Sequence, residues 1–361
     1  MTLRRLPALG VALALVWSVG LAAQNDKKRD DAQKKEIQNI IKIVDDVSAG
    51  QAASSNDLAV SWVHEDVLKA QGNKEYVPFT VSFDPSKVTG GTVALYWRVV
   101  TKAPPAAAPE PAKKDDKKKD DTKKKPEYAY EDISFVQVAA GQTPMRVSRS
   151  FTVGAGAYDV FVVVKEPTPE KAPKNAPPPK VGVLKQSIDV PDFWNGELNT
   201  STVILAQRID PLPAPLTPQQ QADRPYALGM MEIVPMFDTK FTKKGELSPF
   251  MLIYNPKTDK DNKPDVMVEY NFCQIAPGNE PKAGEPCKAG EKFFNKTLPV
   301  NLNAQTLPPG FDLNAGHQLQ SGQALSLGPF PEGQYRLEIK VTDKVANKSL
   351  TRDINFSVSA S

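Results

Sequence analysis

The chain repeats its own strand pattern, and this constrains its fold more than any single motif does. Phe79-Thr80-Val81-Ser82-Phe83-Asp84-Pro85 returns in pattern as Phe250-Met251-Leu252-Ile253-Tyr254-Asn255-Pro256. Val93-Ala94-Leu95-Tyr96-Trp97-Arg98-Val99 returns, at nearly the same offset, as Val266-Met267-Val268-Glu269-Tyr270-Asn271-Phe272. Gly156-Ala157-Tyr158-Asp159-Val160-Phe161-Val162 then corresponds to Gly333-Gln334-Tyr335-Arg336-Leu337-Glu338-Ile339. Each copy closes on one more apolar stretch, Val181 to Val190 in the first and Leu350 to Val358 in the second. At 361 residues the chain has room for two domains of ordinary size.

Within each copy the period is two. Val93, Leu95, Trp97 and Val99 share one face, and Tyr335, Leu337, Ile339 and Val341 alternate with Gln334, Arg336, Glu338 and Lys340. Alternation buries one face and wets the other, which is the habit of an antiparallel sandwich and not of a parallel α/β core. The expected fold is all-β: tandem immunoglobulin-like antiparallel β-sandwiches with a short N-terminal helix. Tyr158 and Tyr335 fall near strand starts, where a tyrosine hydroxyl can bond nearby backbone at a sandwich corner. The helix is expected over residues 31–50, where Ile37, Ile40, Ile41, Val44 and Val47 recur at helical spacing and Gly50 supplies a stop. Its apolar face is expected to pack on the first module, the alternative being a loosely tethered helix.

The remaining segments complete a domain map. Residues 1–23 read as a signal peptide: Arg4 and Arg5 precede an apolar stretch from Leu6 to Leu21, and Ala22-Ala23 offers a small-residue cleavage site before a charged run. The competing reading is an uncleaved anchor, since the stretch approaches the lower length for a membrane span. Residues 24–57 form a charged segment with the helix, and 58–210 the first module. Residues 102–126, rich in Lys, Pro and Asp, read as a disordered insert inside that module, because they lack the apolar residues to offset the entropy of ordering. Residues 211–225, with Pro211, Pro213, Pro215, Pro218 and Pro225, read as a stiff linker into a second module at 226–361.

No constellation in the sequence points to catalysis, so no catalytic, cofactor-binding or metal residue is assigned and the protein reads as non-enzymatic. Nucleophilic hydrolysis needs a base beside its nucleophile, and the chain holds two histidines, His64 and His317. His64-Glu65 opens like a zinc-helix motif, but Leu68 stands where the second histidine belongs. Asp259-Lys260-Asp261-Asn262-Lys263-Pro264-Asp265 resembles a calcium loop only in its acids, since Lys263 and Pro264 occupy a ligand position and the obligatory glycine; a polar hairpin turn fits better. With 45 Lys and Arg against 42 Asp and Glu, the chain lacks the sustained basic face of a nucleic-acid binder. The sequons at Asn199, Asn295 and Asn347 matter only in a eukaryotic secretory route.

Cys273 and Cys287 are the only cysteines. In an exported protein an even pair is expected to form a disulfide, here stapling a loop of the second module. The alternative is two free thiols. The stretch from about Val181 to Val358, with Ser201-Thr202-Val203-Ile204-Leu205-Ala206, Ile233-Val234-Pro235, Leu252-Ile253-Tyr254-Asn255 and the ending Phe330 to Asp343, resembles the C-terminal β-sandwich region of secreted GWxTD-domain proteins of the acidobacterial type. The Gly-Trp-x-Thr-Asp motif itself is absent from the chain. The resemblance implies an exported β-rich protein, periplasmic or secreted, and supplies no catalytic residues. Together these readings predict an interaction or structural module whose partner is another envelope or extracellular protein, with no nucleic acid bound and no membrane span after signal cleavage. The alternative is a carbohydrate-binding or hydrolase-accessory domain using exposed aromatics such as Trp62, Phe193 and Trp194, for which core packing is the competing reading.

Overall fold

Residues 33–102, 128–139, 143–169 and 176–360 are described by a computed structural model. The signal segment and, apart from Lys102, the expected insert at 102–126 lie outside the described residues.

The alternating segments form strands as their period requires. The first module comprises β1 (Ser61–Glu65), β2 (Leu68–Lys69), β3 (Glu75–Phe83), β4 (Thr92–Thr101), β5 (Tyr130–Gln137), β6 (Met145–Val153), β7 (Gly156–Lys165) and β8 (Val181–Val190). One sheet has β3 at its centre: β6 pairs along its whole length, and β1 and β2 share its other edge as a split first strand. The other sheet runs β5-β4-β7-β8, antiparallel throughout. Val77, Phe79, Val81 and Phe83 of the first sheet meet Val93, Leu95, Trp97, Val160, Val162 and Val164 of the second in one core. Trp97 lies there at the strand position where immunoglobulin domains bury a tryptophan, edge-on to Phe79.

The second module repeats this plan. Its strands are β9 (Asn199–Thr200), β10 (Ile204–Pro211), β11 (Ala227–Leu228), β12 (Met231–Pro235), β13 (Lys240–Thr242), β14 (Glu246–Leu247), β15 (Pro249–Tyr254), β16 (Val266–Ile275), β17 (Glu291–Lys296), β18 (Val300–Leu302), β19 (Leu319–Gly322), β20 (Leu325–Ser326), β21 (Gly333–Asp343) and β22 (Lys348–Ser359). β15 takes the place of β3, flanked by β19 and by the split pair β9 and β10. β16, β21 and β22 take the places of β4, β7 and β8, and β13 adds a parallel edge to β22. The Gly-x-Tyr repeat acquires a reason: Gly156 and Gly333 stand at φ +150° and +152°, where a side chain is strained, and each opens its strand against the ring of the tyrosine two residues on. The Tyr158 hydroxyl donates to Gly154 O at 2.9 Å and that of Tyr335 to Pro331 O at 2.8 Å, the same corner built twice.

The module boundary lies earlier than the sequence reading put it. Because β9 and β10 pair with β15, the second sandwich takes its first strands from before Pro211. Residues 211–225 run between β10 and β11, both in the second module, and so do not link the two sandwiches. They contain a one-and-a-half-turn helix, α2 (Pro218–Asp223), started by a reciprocal capping box between Thr217 and Gln220 with Pro218 at its first position.

The N-terminal helix α1 (33–48) lies across the outer face of the β4-β7-β8 sheet. Ile40 and Val44 are fully buried against Ala94, Tyr96, Phe161, Val163 and Val183. Gly50, at φ +69°, closes it in the left-handed conformation glycine favours.

Candidate functional site

The most constrained part of the molecule is the junction between the two sandwiches. β15 is buried at all six positions, which a one-sided strand cannot be. Met251 and Ile253 face the second module's own core, while Phe250, Leu252 and Tyr254 join a cluster continuous with the first module's core. β10 divides the same way, Leu205 inward and Ile204 and Ala206 toward the first module. The two sandwiches therefore share an apolar layer, filled out by Tyr226 and Ile233.

Asp66, in the bend between β1 and β2, is the polar centre of this layer and is fully buried. Its Oδ1 accepts from the Thr202 hydroxyl at 2.8 Å and lies 3.2 Å from His64 Nε2, and its Oδ2 accepts from the Tyr226 hydroxyl at 2.9 Å. A buried carboxylate is tolerated when its lone pairs are taken up in this way. Thr202 and Tyr226 belong to the second module, so the carboxylate ties one sandwich to the other. Further bonds reinforce the seam: Val67 N donates to Thr202 Oγ1 at 3.0 Å, Lys69 N to the Tyr254 hydroxyl at 3.0 Å, and the Tyr76 hydroxyl to Pro225 O at 2.9 Å. Burial pushes the Tyr226 and Tyr254 phenols well above their ordinary value and that of Tyr76 up to about 12, so all three stay neutral donors and acceptors. For His64, burial alone would lower the pKa, but the hydrogen bond and charge of Asp66, with Glu65, outweigh it and leave the imidazole above 6.5. The Thr202 and Tyr226 hydroxyls beside this pair both donate to the carboxylate.

The expected disulfide is present. Cys273 and Cys287 are bonded, with Cα atoms 5.6 Å apart, at the end of β16 and in the loop that follows it. A carboxylate oxygen of Glu291 brings a third potential ligand near the two sulfurs. The sulfurs are joined to each other and Glu291 is held by Arg336, at 2.7 Å from Nε and 2.6 Å from Nη2, so the group is a staple and not a set of free ligands. The Asp259 to Asp265 segment is a turn, with Asp259 Oδ1 accepting from the amides of Asp261 and Lys263 at 2.9 Å each.

The three aromatics singled out in sequence do not form one open platform. Phe193 is buried against Tyr254. Trp62 stacks in parallel on the fully buried Phe79, its indole N–H on Glu65. Trp194 is 39% exposed, with Lys69 Nζ 4.2 Å over its ring and its own N–H on Lys74 O at 3.0 Å. The junction residues Asp66, Thr202 and Tyr226 were not found by sequence reasoning. The usable signal was the unbroken apolar run Phe250 to Tyr254, too apolar for a strand with one wet face.

No protein-family model and no curated protein matches the chain. Among solved structures, one that it resembles is the native conformation of E. coli alpha-2-macroglobulin, at 8% identity and a TM-score of 0.20. That match covers 86% of this chain, which spans 15% of the length of the other.

Proposed function

We propose that this protein is an exported, non-enzymatic interaction or structural protein whose two immunoglobulin-like sandwiches act as one rigid body toward another envelope or extracellular protein. The observation that carries the reading is the junction, where β15 serves two cores at once and the buried Asp66 is satisfied by hydroxyls of the other module. Independent modules strung on a linker would present interfaces that open easily; a continuous apolar layer makes relative motion costly. Export is supported by the disulfide, since such bonds persist in oxidising compartments, and by the signal-like N-terminus. Among the described residues no helix is long and apolar enough to cross a membrane. The resemblance of residues 181–358 to secreted GWxTD-domain proteins points the same way.

The test is calorimetric. The mature protein is expected to unfold in one transition, with calorimetric and van't Hoff enthalpies equal. Asp66→Ala leaves the Thr202 and Tyr226 hydroxyls without their acceptor and is expected to cost about 2–4 kcal/mol and to split the transition. Two separate transitions in the wild-type protein would sink the rigid-body reading. Affinity capture from the native envelope, with wild type and Asp66→Ala compared side by side, then identifies the partner that depends on the fused arrangement.

A further inference from the structure

Beside the junction the two modules enclose a cleft of about 540 Å³, walled by Lys69 and Gln71 of the first module, Trp194 of the connecting segment, and Asn255, Asn314 and Gln318 of the second. Its parts are held in place. The Trp194 ring is oriented by its N–H on Lys74 O and its backbone amide on Asp192. Asn255 stands at φ +55° with its amide nitrogen on Phe193 O at 3.0 Å and Glu197 O at 2.9 Å. That leaves its Oδ1 to hold Lys69 Nζ at 2.9 Å, directly beside the indole.

The cation is what makes the cleft a site. Among the described residues Lys69 forms no ion pair; Glu75 and Asp192 act on it only at longer range. Burial lowers its pKa, and burial likewise raises that of Glu75. Gln71, Asn314 and Gln318 are exposed carboxamides, able both to donate and to accept. The amides of Lys69 and Ala70 are already bonded, to the Tyr254 hydroxyl and Lys74 O, so neither is free to pair with an added strand.

We propose that this cleft binds a carboxylate-bearing saccharide, with Lys69 Nζ on the carboxylate, the exposed part of the Trp194 indole against the C–H bonds of the ring, and the side-chain amides of Gln71, Asn314 and Gln318 on its hydroxyls. An apolar wall with a few convergent polar groups is the usual composition of a small-molecule site, and a carboxylate is what an unpaired ammonium in that wall selects. The inference rests on the two sandwiches being fused, because neither one alone completes the cleft.

The test uses the whole mature protein and three probes: an oligogalacturonate, a neutral cello-oligosaccharide of equal length, and hexaglutamate. Binding is read by isothermal titration and by Trp194 fluorescence. Saturable binding of the oligogalacturonate alone is expected, weakened by added salt. Lys69→Met keeps the backbone bond to Tyr254 and is expected to lose roughly tenfold in affinity or more, the loss of one charge-assisted contact, with its melting curve unchanged. Asn314→Ala, at an exposed position, is expected to weaken binding without touching the seam. The proposal is overturned if no probe saturates, if hexaglutamate binds as well as the uronate, or if Lys69→Met binds undiminished. A single calorimetric transition alongside absent binding would overturn the site and leave the rigid-body reading standing, and split transitions would overturn that reading first.

Discussion

The outer faces of β7 and β21 are equivalent places in the two modules, and they are covered by opposite means. On β7 the outward row carries Phe161 and Val163, and helix α1 lies over it with Ile40 and Val44. On β21 the same row carries Arg336, Glu338 and Lys340, and no helix among the described residues covers it. Arg336 is nevertheless 3% exposed. The disulfide-closed loop folds over it, giving Pro286 O at 2.9 Å, while Glu291 of β17 and Asp353 of β22 add carboxylates, at 2.6 Å from Nη2 and 2.8 Å from Nη1. The first module thus hides an apolar sheet face beneath an amphipathic helix, and the second hides a charged one beneath a crosslinked loop. One strand plan accepts either solution, provided that each buried charge finds partners. The first module meets that condition too: Arg98, 2% exposed, is held by Asp45 of α1 at 2.6 Å, and Lys165 pairs with Glu36 of the same helix.

The sharpest way to break the comparison is to take away the helix. Deleting residues up to 50 exposes Phe161 and Val163 and strands Lys165 and Arg98 without their helix carboxylates. Loss of the burial of Ile40 and Val44, and of the sheet face they cover, is expected to destabilise by roughly 4 kcal/mol or more, while Arg98 keeps Glu131 as a partner. Urea titration measures the total, and hydrogen exchange should show the loss of protection centred on β4, β7 and β8. Unchanged protection there would mean that the helix is an accessory and not the cover.

The corresponding experiment in the second module is smaller. Replacing Cys273 and Cys287 together by serine frees a loop of about 15 residues, for which the chain-entropy account gives roughly 3 kcal/mol. The loss should appear as faster exchange across residues 276–290 and at the end of β16, with β4 and β7 unaffected. Thiol counting on the denatured, unreduced protein should find no free sulfhydryl. A double mutant as stable as wild type would show that the Arg336, Glu291 and Asp353 cluster holds the loop without help.

Much of this contrast is legible in the sequence. The run Val160 to Val164 is apolar at every position, and β21 alternates cleanly, so one strand needs an apolar cover on its second face and the other does not. The helix that supplies that cover announced itself through Ile40 and Val44. The duplicated tyrosine corner and the Cys273–Cys287 bond followed from position and number alone. The junction did not, because its parts are far apart in the chain: Asp66, Thr202 and Tyr226 meet only once both sandwiches exist, and a single buried aspartate has no local pattern. The boundary error has the same origin. Pro211 to Pro225 look like a linker in composition, whereas pairing of β9 and β10 with β15 is a long-range fact that no window of sequence contains.

The smallest predicted effect concerns the seam on which the two modules meet. His64 sits 3.2 Å from the buried Asp66, and its folded pKa lies above the ordinary 6.5. A base whose pKa rises on folding stabilises the folded state fully below its unfolded pKa, and the contribution fades as pH rises through the folded value. The melting temperature is therefore expected to fall slightly between about pH 6 and pH 8. The imidazole is 45% exposed, so solvent screening keeps the effect small. Glu75, raised by burial, contributes with the same sign, and a control must separate the two. His64→Gln does so: it removes the titration at the seam and leaves Glu75 in place. The variant's melting temperature should depend less steeply on pH across this window than that of wild type. Parallel profiles for the two proteins would show that Asp66 is held by Thr202 and Tyr226 alone, and that the imidazole adds nothing to the contact between the sandwiches.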